Sequence, residues 1–238
     1  MAEELLGVRG ITKHFGGFVA LDGVSFSLGA GEALGLVGPN GSGKTTLVNV
    51  ACGLFPPTKG EIRLAGARVD GQPAHKVARK GINRTFQIPR PFHTLTVREN
   101  ISLAIGHCPR AGLSMEEILS FCNLAEVSTR KAGMLTAAQQ KRLDLARALA
   151  LGPSVLFVDE LGAGLNHGEL AELARMLRSL SDRGIALVVV EHLMGFLEQV
   201  VDHVIVLNAG REIFRGELRS ALADAEVKRV YLGDSVSA

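Results

Sequence analysis

The stretch Gly38-Pro39-Asn40-Gly41-Ser42-Gly43-Lys44-Thr45-Thr46 follows the apolar run Ala33-Leu34-Gly35-Leu36-Val37, and no other segment limits the fold as tightly. From Gly38 to Thr45 it fits GxxxxGK[ST] in full. Glycines free the backbone to turn its N–H groups inward around phosphate oxygens, and a helix starting there points its positive end at the same place. That arrangement needs a buried strand before the loop and a helix after it. Ala33 to Val37 reads as the strand and Thr45 to Leu54 as the helix. Lys44 is then placed to reach the β- and γ-phosphates, and the Thr45 hydroxyl to ligate Mg²⁺. The loop predicts a nucleoside-triphosphate site in an α/β fold.

A second apolar strand, Val155 to Val158, ends on Asp159-Glu160. Ligands of open parallel sheets bind beyond the carboxyl ends of the strands, so both carboxylates are expected to be exposed at that edge. Asp159 is expected to hold Mg²⁺, directly or through water. Neighbours on an extended strand point to opposite sides. Glu160 is therefore left to face the attacking water, as general base or water-orienting group.

The remaining pattern fits a large α/β unit. Ile185 to Val190 and Val204 to Leu207 read as buried strands, the latter followed by an Asn208-Ala209-Gly210 turn and the strand Arg211 to Phe214. Leu170, Leu173, Ala174, Leu177 and Leu180 recur at helical spacing and read as a core stripe. Val8 to Phe26, with turns read at Gly16-Gly17 and Asp22-Gly23, predicts antiparallel hairpins, as does Glu61 to Val69, broken at Gly66. Ile88 to about Gly133 reads as mostly helical, and Gln139 to Leu151 as a helix ended by Gly152-Pro153. Strands alternating with helices imply a mostly parallel sheet covered on both faces. Asp234 to Ala238 are expected to fray.

Charge and composition narrow the partners. A net charge of +2 argues against nucleic-acid binding driven by overall charge. No apolar run approaches the ~18 residues that span a bilayer, and the early acids of MAEELLGVRG do not suit a secretory signal. Cys52, Cys108 and Cys122 form no CxxC and read as reduced packing residues of a cytoplasmic protein.

With both halves of the site in place, the chain resembles the ATP-binding subunit of ABC transporters over nearly its whole length. The resemblance implies one ABC ATP-binding domain, residues 1–238: a P-loop NTPase core with a mostly parallel sheet, an antiparallel β subdomain and a helical signature subdomain at roughly 88–150. It implies that Phe15 stacks on adenine. Gln87, in Arg84-Thr85-Phe86-Gln87, matches the glutamine whose amide contacts Mg²⁺ or the lytic water, and His192 matches the switch histidine near the γ-phosphate. Leu135-Thr136-Ala137-Ala138-Gln139 stands at the signature LSGGQ, which meets ATP bound by the opposite subunit. Thr136 and Gln139 keep the hydroxyl and amide, whereas Ala137 and Ala138 replace both glycines. Two readings of that replacement stay open: a tolerated variant, or a slower site on the partner's side.

Narrower features resemble the ATPases of branched-chain amino-acid importers: Phe15-Gly16-Gly17, Arg84 to Arg90, and Ala163-Gly164-Leu165-Asn166. They imply ATP and Mg²⁺ as ligands, peripheral attachment at the cytoplasmic face of the membrane, and transmembrane permease subunits as partners. A second ATP-binding subunit, identical or sister, is implied too, and indirectly a solute-binding protein. Pro89 to His93 lie where relatives dock the membrane subunit. A urea or amide transporter and a soluble ABC ATPase are the alternatives. The long coiled-coil insertions of repair and chromosome forms, and the fused pair of translation forms, are lacking here.

Overall fold

Runs such as Ala33–Val37 and Ala186–Val190 carry no polar side chain, so as strands they must be covered on both faces. The computed structural model describes residues 3–107 and 112–232, and in it these runs lie side by side at the centre of a six-stranded sheet. Its order is β10-β9-β3-β8-β7-β6: β3 (Ala33–Val37), β6 (Ile82–Arg84), β7 (Val155–Asp159), β8 (Ala186–Val190) and β9 (His203–Asn208) run parallel. β10 (Arg211–Gly216) closes the edge antiparallel to β9. A second, antiparallel sheet has the order β2-β1-β4-β5, built from β1 (Glu4–Phe15), β2 (Phe18–Gly29), β4 (Lys59–Leu64) and β5 (Ala67–Arg68).

Successive side chains of a strand point to opposite faces, and this alternation divides the interior in two. Val155 and Phe157 of β7, with Val188 and Val190 of β8, join the core that includes β1, β2 and the helix α1 (Lys44–Ala51). Leu156 and Val158, with Leu187 and Val189, join the other core. There they meet α3 (Val97–His107), α4 (Met115–Phe121), α5 (Ala137–Ala150), α6 (His167–Asp182) and α7 (Met194–Val200). The expected stripe on α6 holds in part: Leu173, Ala174, Leu177 and Leu180 are buried, and Leu170 packs half-buried against them. Short helices complete the chain: α2 (Ala74–Lys80), α8 (Leu218–Ala223) and α9 (Ala225–Leu232).

Several expectations need correction. Asp22-Gly23 is not a turn but lies inside β2, where the register with β1 shifts between Ile11↔Val24 and Lys13↔Leu21. Tertiary pairing decides it: the Asp22 N–H donates to the Gly210 carbonyl at 2.9 Å and the Gly23 N–H to the Thr12 hydroxyl at 3.2 Å. The helix after the glycine loop ends at Ala51, three residues before the expected Leu54. Between Ile88 and Gly133, residues 88–96 form no helix. The expectations for Cys108 and for Asp234 to Ala238 lie outside the described residues. Cys52 and Cys122 are buried, and burial pushes both thiols up to about 12, which suits packing rather than reactivity. Among the described residues no helix is long and apolar enough to cross a membrane.

Phe157 is fully buried in the middle of β7. Phe157→Ala is expected to cost about 3–5 kcal/mol of unfolding free energy, read as a lower urea midpoint. A midpoint unchanged from the parent would contradict this packing.

Candidate active site

β3 ends at Val37 and α1 begins at Lys44, so the glycine-rich loop is a bare connection between two fixed ends. Gly38 and Gly43 hold positive φ angles of 145° and 107°. A Cβ at Gly38 would lie 2.1 Å from the Leu207 carbonyl oxygen, and one at Gly43 2.8 Å from that of Ala20. Only glycine lets the loop press this closely onto β9 and β2. The turn after β9 buttresses it further, because the Gly210 N–H donates to the Ser42 carbonyl at 2.9 Å.

Lys44 is buried and folds back over its own loop, donating to the carbonyls of Gly38 at 2.7 Å and Pro39 at 2.9 Å. Burial lowers its pKa, while the nearby charges of Glu160 and Asp159 oppose that shift. The Ser42 hydroxyl is buried without a partner among the described residues. An unmet buried hydroxyl costs about 1–3 kcal/mol, and here it sits where phosphate oxygens would be cradled. A cavity of about 370 Å³ opens above, lined by Asn40 through Thr46 together with Phe18, Ala20, Gln87 and Glu160. The glycine backbone, the ammonium and the orphan hydroxyl fit a polyphosphate.

Glu160 gathers the other functional side chains. Its Oε2 accepts from the Gln87 amide and its Oε1 lies 3.0 Å from His192 Nε2. Residues 73 and 32 positions away in sequence thus converge on one carboxylate. Glu160 is not on the extended strand: β7 stops at Asp159, and Glu160 turns with φ 47°. Asp159 is likewise not exposed at the sheet edge. It is 2 % exposed, and Arg84 Nη2 donates to its Oδ2 at 2.8 Å. Burial raises its pKa and the Arg84 guanidinium pulls it back. Among the described residues no three His, Cys, Asp or Glu side chains form a metal cage. Thr45 and Gln87 line the cavity whereas Asp159 does not; the hydroxyl, amide and carboxylate oxygens of the three are hard donors of the kind that suits Mg²⁺.

Phe15 does not line this cavity. It packs edge-on against Phe55, centroids 5.3 Å apart, with the Lys13 ammonium 5.0 Å from its ring. Phe18, paired with Phe15 across the Gly16-Gly17 turn, supplies the aromatic ring at the cavity instead. Thr136 to Gln139 also stand apart from it. Thr136 caps α5: its hydroxyl accepts the Gln139 N–H at 3.3 Å, and the Gln139 side-chain Oε1 accepts the Thr136 N–H at 3.1 Å. Ala137 and Ala138 are the first two residues of the helix. That conformation needs no glycine, and alanine favours it.

Four residues of the surrounding network carry no signal that sequence reasoning uses. Arg84 ties Asp159 to α1 through Asn49 Oδ1 at 2.5 Å. Asp144 of α5 accepts the Phe86 N–H at 2.7 Å, next to Gln87. Lys141 and Glu191 hold the segment after Glu160. Arg84 stands in the motif quoted for Gln87, which is the one pointer available.

The sequence profile of the ABC transporter family matches residues 21–163. The chain is 34% identical over 255 residues to the high-affinity branched-chain amino acid transport ATP-binding protein BraF of Pseudomonas aeruginosa, covering 99% of this chain and 100% of that one. The corresponding LivG protein of Salmonella typhimurium is 33% identical at the same coverage. A solved nucleotide-free ATP-binding cassette from an ABC transporter superposes with a TM-score of 0.87 at 31% identity, covering 97% of this chain and 100% of that chain. An ADP conformation of an ATP-binding cassette gives 0.86 at 31% identity, covering 97% and 99%.

Burial raises the Asp144 carboxyl from 3.8 to about 6, with the Phe86 N–H and Arg147 opposing. At about 1.4 kcal/mol per pKa unit, the ionised carboxylate costs on the order of 3 kcal/mol. Its contribution favours the fold below pH 3.8 and is lost as pH rises through about 6. Asp144→Asn keeps an acceptor for Phe86 and carries no charge. Urea unfolding should find it more stable than the parent above pH 6, with the margin shrinking toward pH 4. A margin independent of pH would contradict the assignment.

Proposed function

The chain belongs to the ABC transporter family of ATP-binding proteins, and from that premise we propose that it is the ATP-hydrolysing subunit of a transporter importing branched-chain or other hydrophobic amino acids. One observation carries the chemistry: Glu160, at the edge of the phosphate-loop cavity, is held between Gln87 and His192. The solute class follows BraF and LivG, whose names specify branched-chain amino acid transport.

In this reading Gly38 to Thr46 bind the triphosphate, with Lys44 leaving the carbonyls of Gly38 and Pro39 for the β- and γ-phosphates. Thr45, Asp159 and Gln87 are the residues that would hold Mg²⁺, which would neutralise charge on the phosphates. Glu160 accepts the proton of the attacking water, and His192 orients it against the γ-phosphate. Phosphoryl transfer needs positioning and charge neutralisation more than covalent chemistry, which suits a site made of fixed donors. Phe18 is better placed than Phe15 to meet the base, since it borders the cavity.

The signature Thr136 to Gln139 would complete a second subunit's site, so that closure around two ATP molecules is the motion available for work. The helical segment, roughly 88–150, offers the membrane partner a groove of about 390 Å³ lined by Phe86, Phe92, Leu103, Arg147 and Leu151. Phe92 in its lining is exposed, as is Ile88, two residues after Phe86. Permease helices docking there would keep the chain peripheral at the cytoplasmic face, with a solute-binding protein on the far side.

In the complex purified with this chain as bait, Glu160→Gln should lower ATP turnover about a hundredfold or more at unchanged nucleotide affinity. Turnover at the parental rate would remove Glu160 from the chemistry. Recovery of the chain without any membrane protein would remove the transport assignment.

A further inference from the structure

Glu160 holds a left-handed backbone, φ 47°, which is strained for a non-glycine residue and lasts only where its surroundings enforce it. The three residues that follow are gripped from two sides. From α5, the Lys141 ammonium donates to the Leu161 carbonyl at 2.9 Å and to the Ala163 carbonyl. From the end of β8, Glu191 Oε1 accepts the Gly162 N–H at 2.6 Å. Its second oxygen takes the N–H of His192 at 3.4 Å. Glu191 is 2 % exposed, and a buried carboxylate is tolerated only where such donors meet it. The fit is close: a Cβ on Gly162 would lie 2.9 Å from Glu191 Oε1.

Alternating backbone groups, Leu161 O, Gly162 N and Ala163 O, are thus each met by a charge of the appropriate sign. One jaw, Lys141, lies on the helix capped by Thr136. The other, Glu191, precedes His192 in the chain. Asp144, one turn beyond Lys141 on α5, grips the Phe86 N–H beside Gln87. A single helix therefore reaches the segments that bear Gln87 and Glu160.

We propose that Lys141 and Glu191 are positioning residues that clamp the 161–163 segment, so that the seating of α5 sets the geometry of Glu160 and His192. The proposal rests on the reading of Glu160 as the group that activates water. Neither clamp residue lines the phosphate-loop cavity. Their loss should therefore slow turnover without weakening ATP binding. Any signature contact that shifts α5 then reaches this chain's own catalytic carboxylate through Lys141.

Steady-state ATP turnover of the complex purified with this chain tests the clamp. Lys141→Met is expected to lower kcat about tenfold or more with KM for ATP within about twofold, because ordering lost at a catalytic group acts on rate rather than affinity. Lys141→Arg keeps two donors and should return to within about threefold of the parent. Lys141→Met at parental kcat, a KM that rises in step with the loss, or no rescue by arginine would each overturn the clamp. Should Lys141→Met fail to assemble, Glu191→Gln, which keeps an acceptor for Gly162, is compared with Glu191→Leu, which keeps none. A faster glutamine variant supports the proposal and equal rates overturn it. Glu160→Gln measured alongside separates the two levels. Parental turnover there removes the underlying reading and the clamp with it; loss there beside an unaffected Lys141→Met removes the clamp alone.

Discussion

Backbone packed against backbone is the constraint from which the site follows. The loop from Gly38 to Gly43 presses on the carbonyls of Leu207 and Ala20 at distances that no side chain permits. The turn at Gly210 then bonds both Ser42 and Asp22. Three segments far apart in sequence are locked into one floor, and Lys44 closes over it. Once the floor is rigid, α1 points its N-terminus into the cavity, and the strand ends of β3, β7 and β8 bring their loops to the same edge.

The proposed catalytic groups are arranged over that floor by charged side chains. Arg84 joins Asp159 to α1, Asp144 joins α5 to the segment bearing Gln87, and Lys141 and Glu191 hold the segment after Glu160. Lys141 is half-buried; buried charges such as Asp159, Asp144 and Glu191 contribute little net stability against apolar substitutes, yet removing one partner leaves the other uncompensated. Their value here is geometric: Arg84 fixes the Asp159 side chain, and Asp144, Lys141 and Glu191 fix backbone groups beside Gln87 and Glu160. α5 takes part twice, through Lys141 and Asp144, and its first turn is the segment proposed as the signature. Alanine at positions 137 and 138 suits a helix start, so the conformation of this segment does not depend on the missing glycines.

Local chemistry was legible in the sequence wherever the cause is local. The glycine loop, the strands of β3 and β8, the stripe on α6 and the hairpin at Gly66 follow from period, burial and turn chemistry within a few residues. What depends on distant pairing was not. Asp22-Gly23 has the composition of a turn, but its N–H groups find Gly210 and Thr12 and it remains in a strand. β6, three residues long, is too short to show a period. Gln87 and His192 came from family resemblance, since nothing local marks a lone glutamine or histidine as neighbours of Glu160. Asp159 was expected at the surface because strand ends usually open to solvent. Arg84, 75 positions earlier, encloses it.

Titration calorimetry of ATP with magnesium into the purified chain, beside Lys44→Ala, tests most directly that this floor grips the terminal phosphates. Saturable binding in the parent, weakened about tenfold or more in Lys44→Ala through loss of a charge-assisted contact, is the predicted result. Absence of affinity in the parent, or equal affinity in the two proteins, would contradict the account.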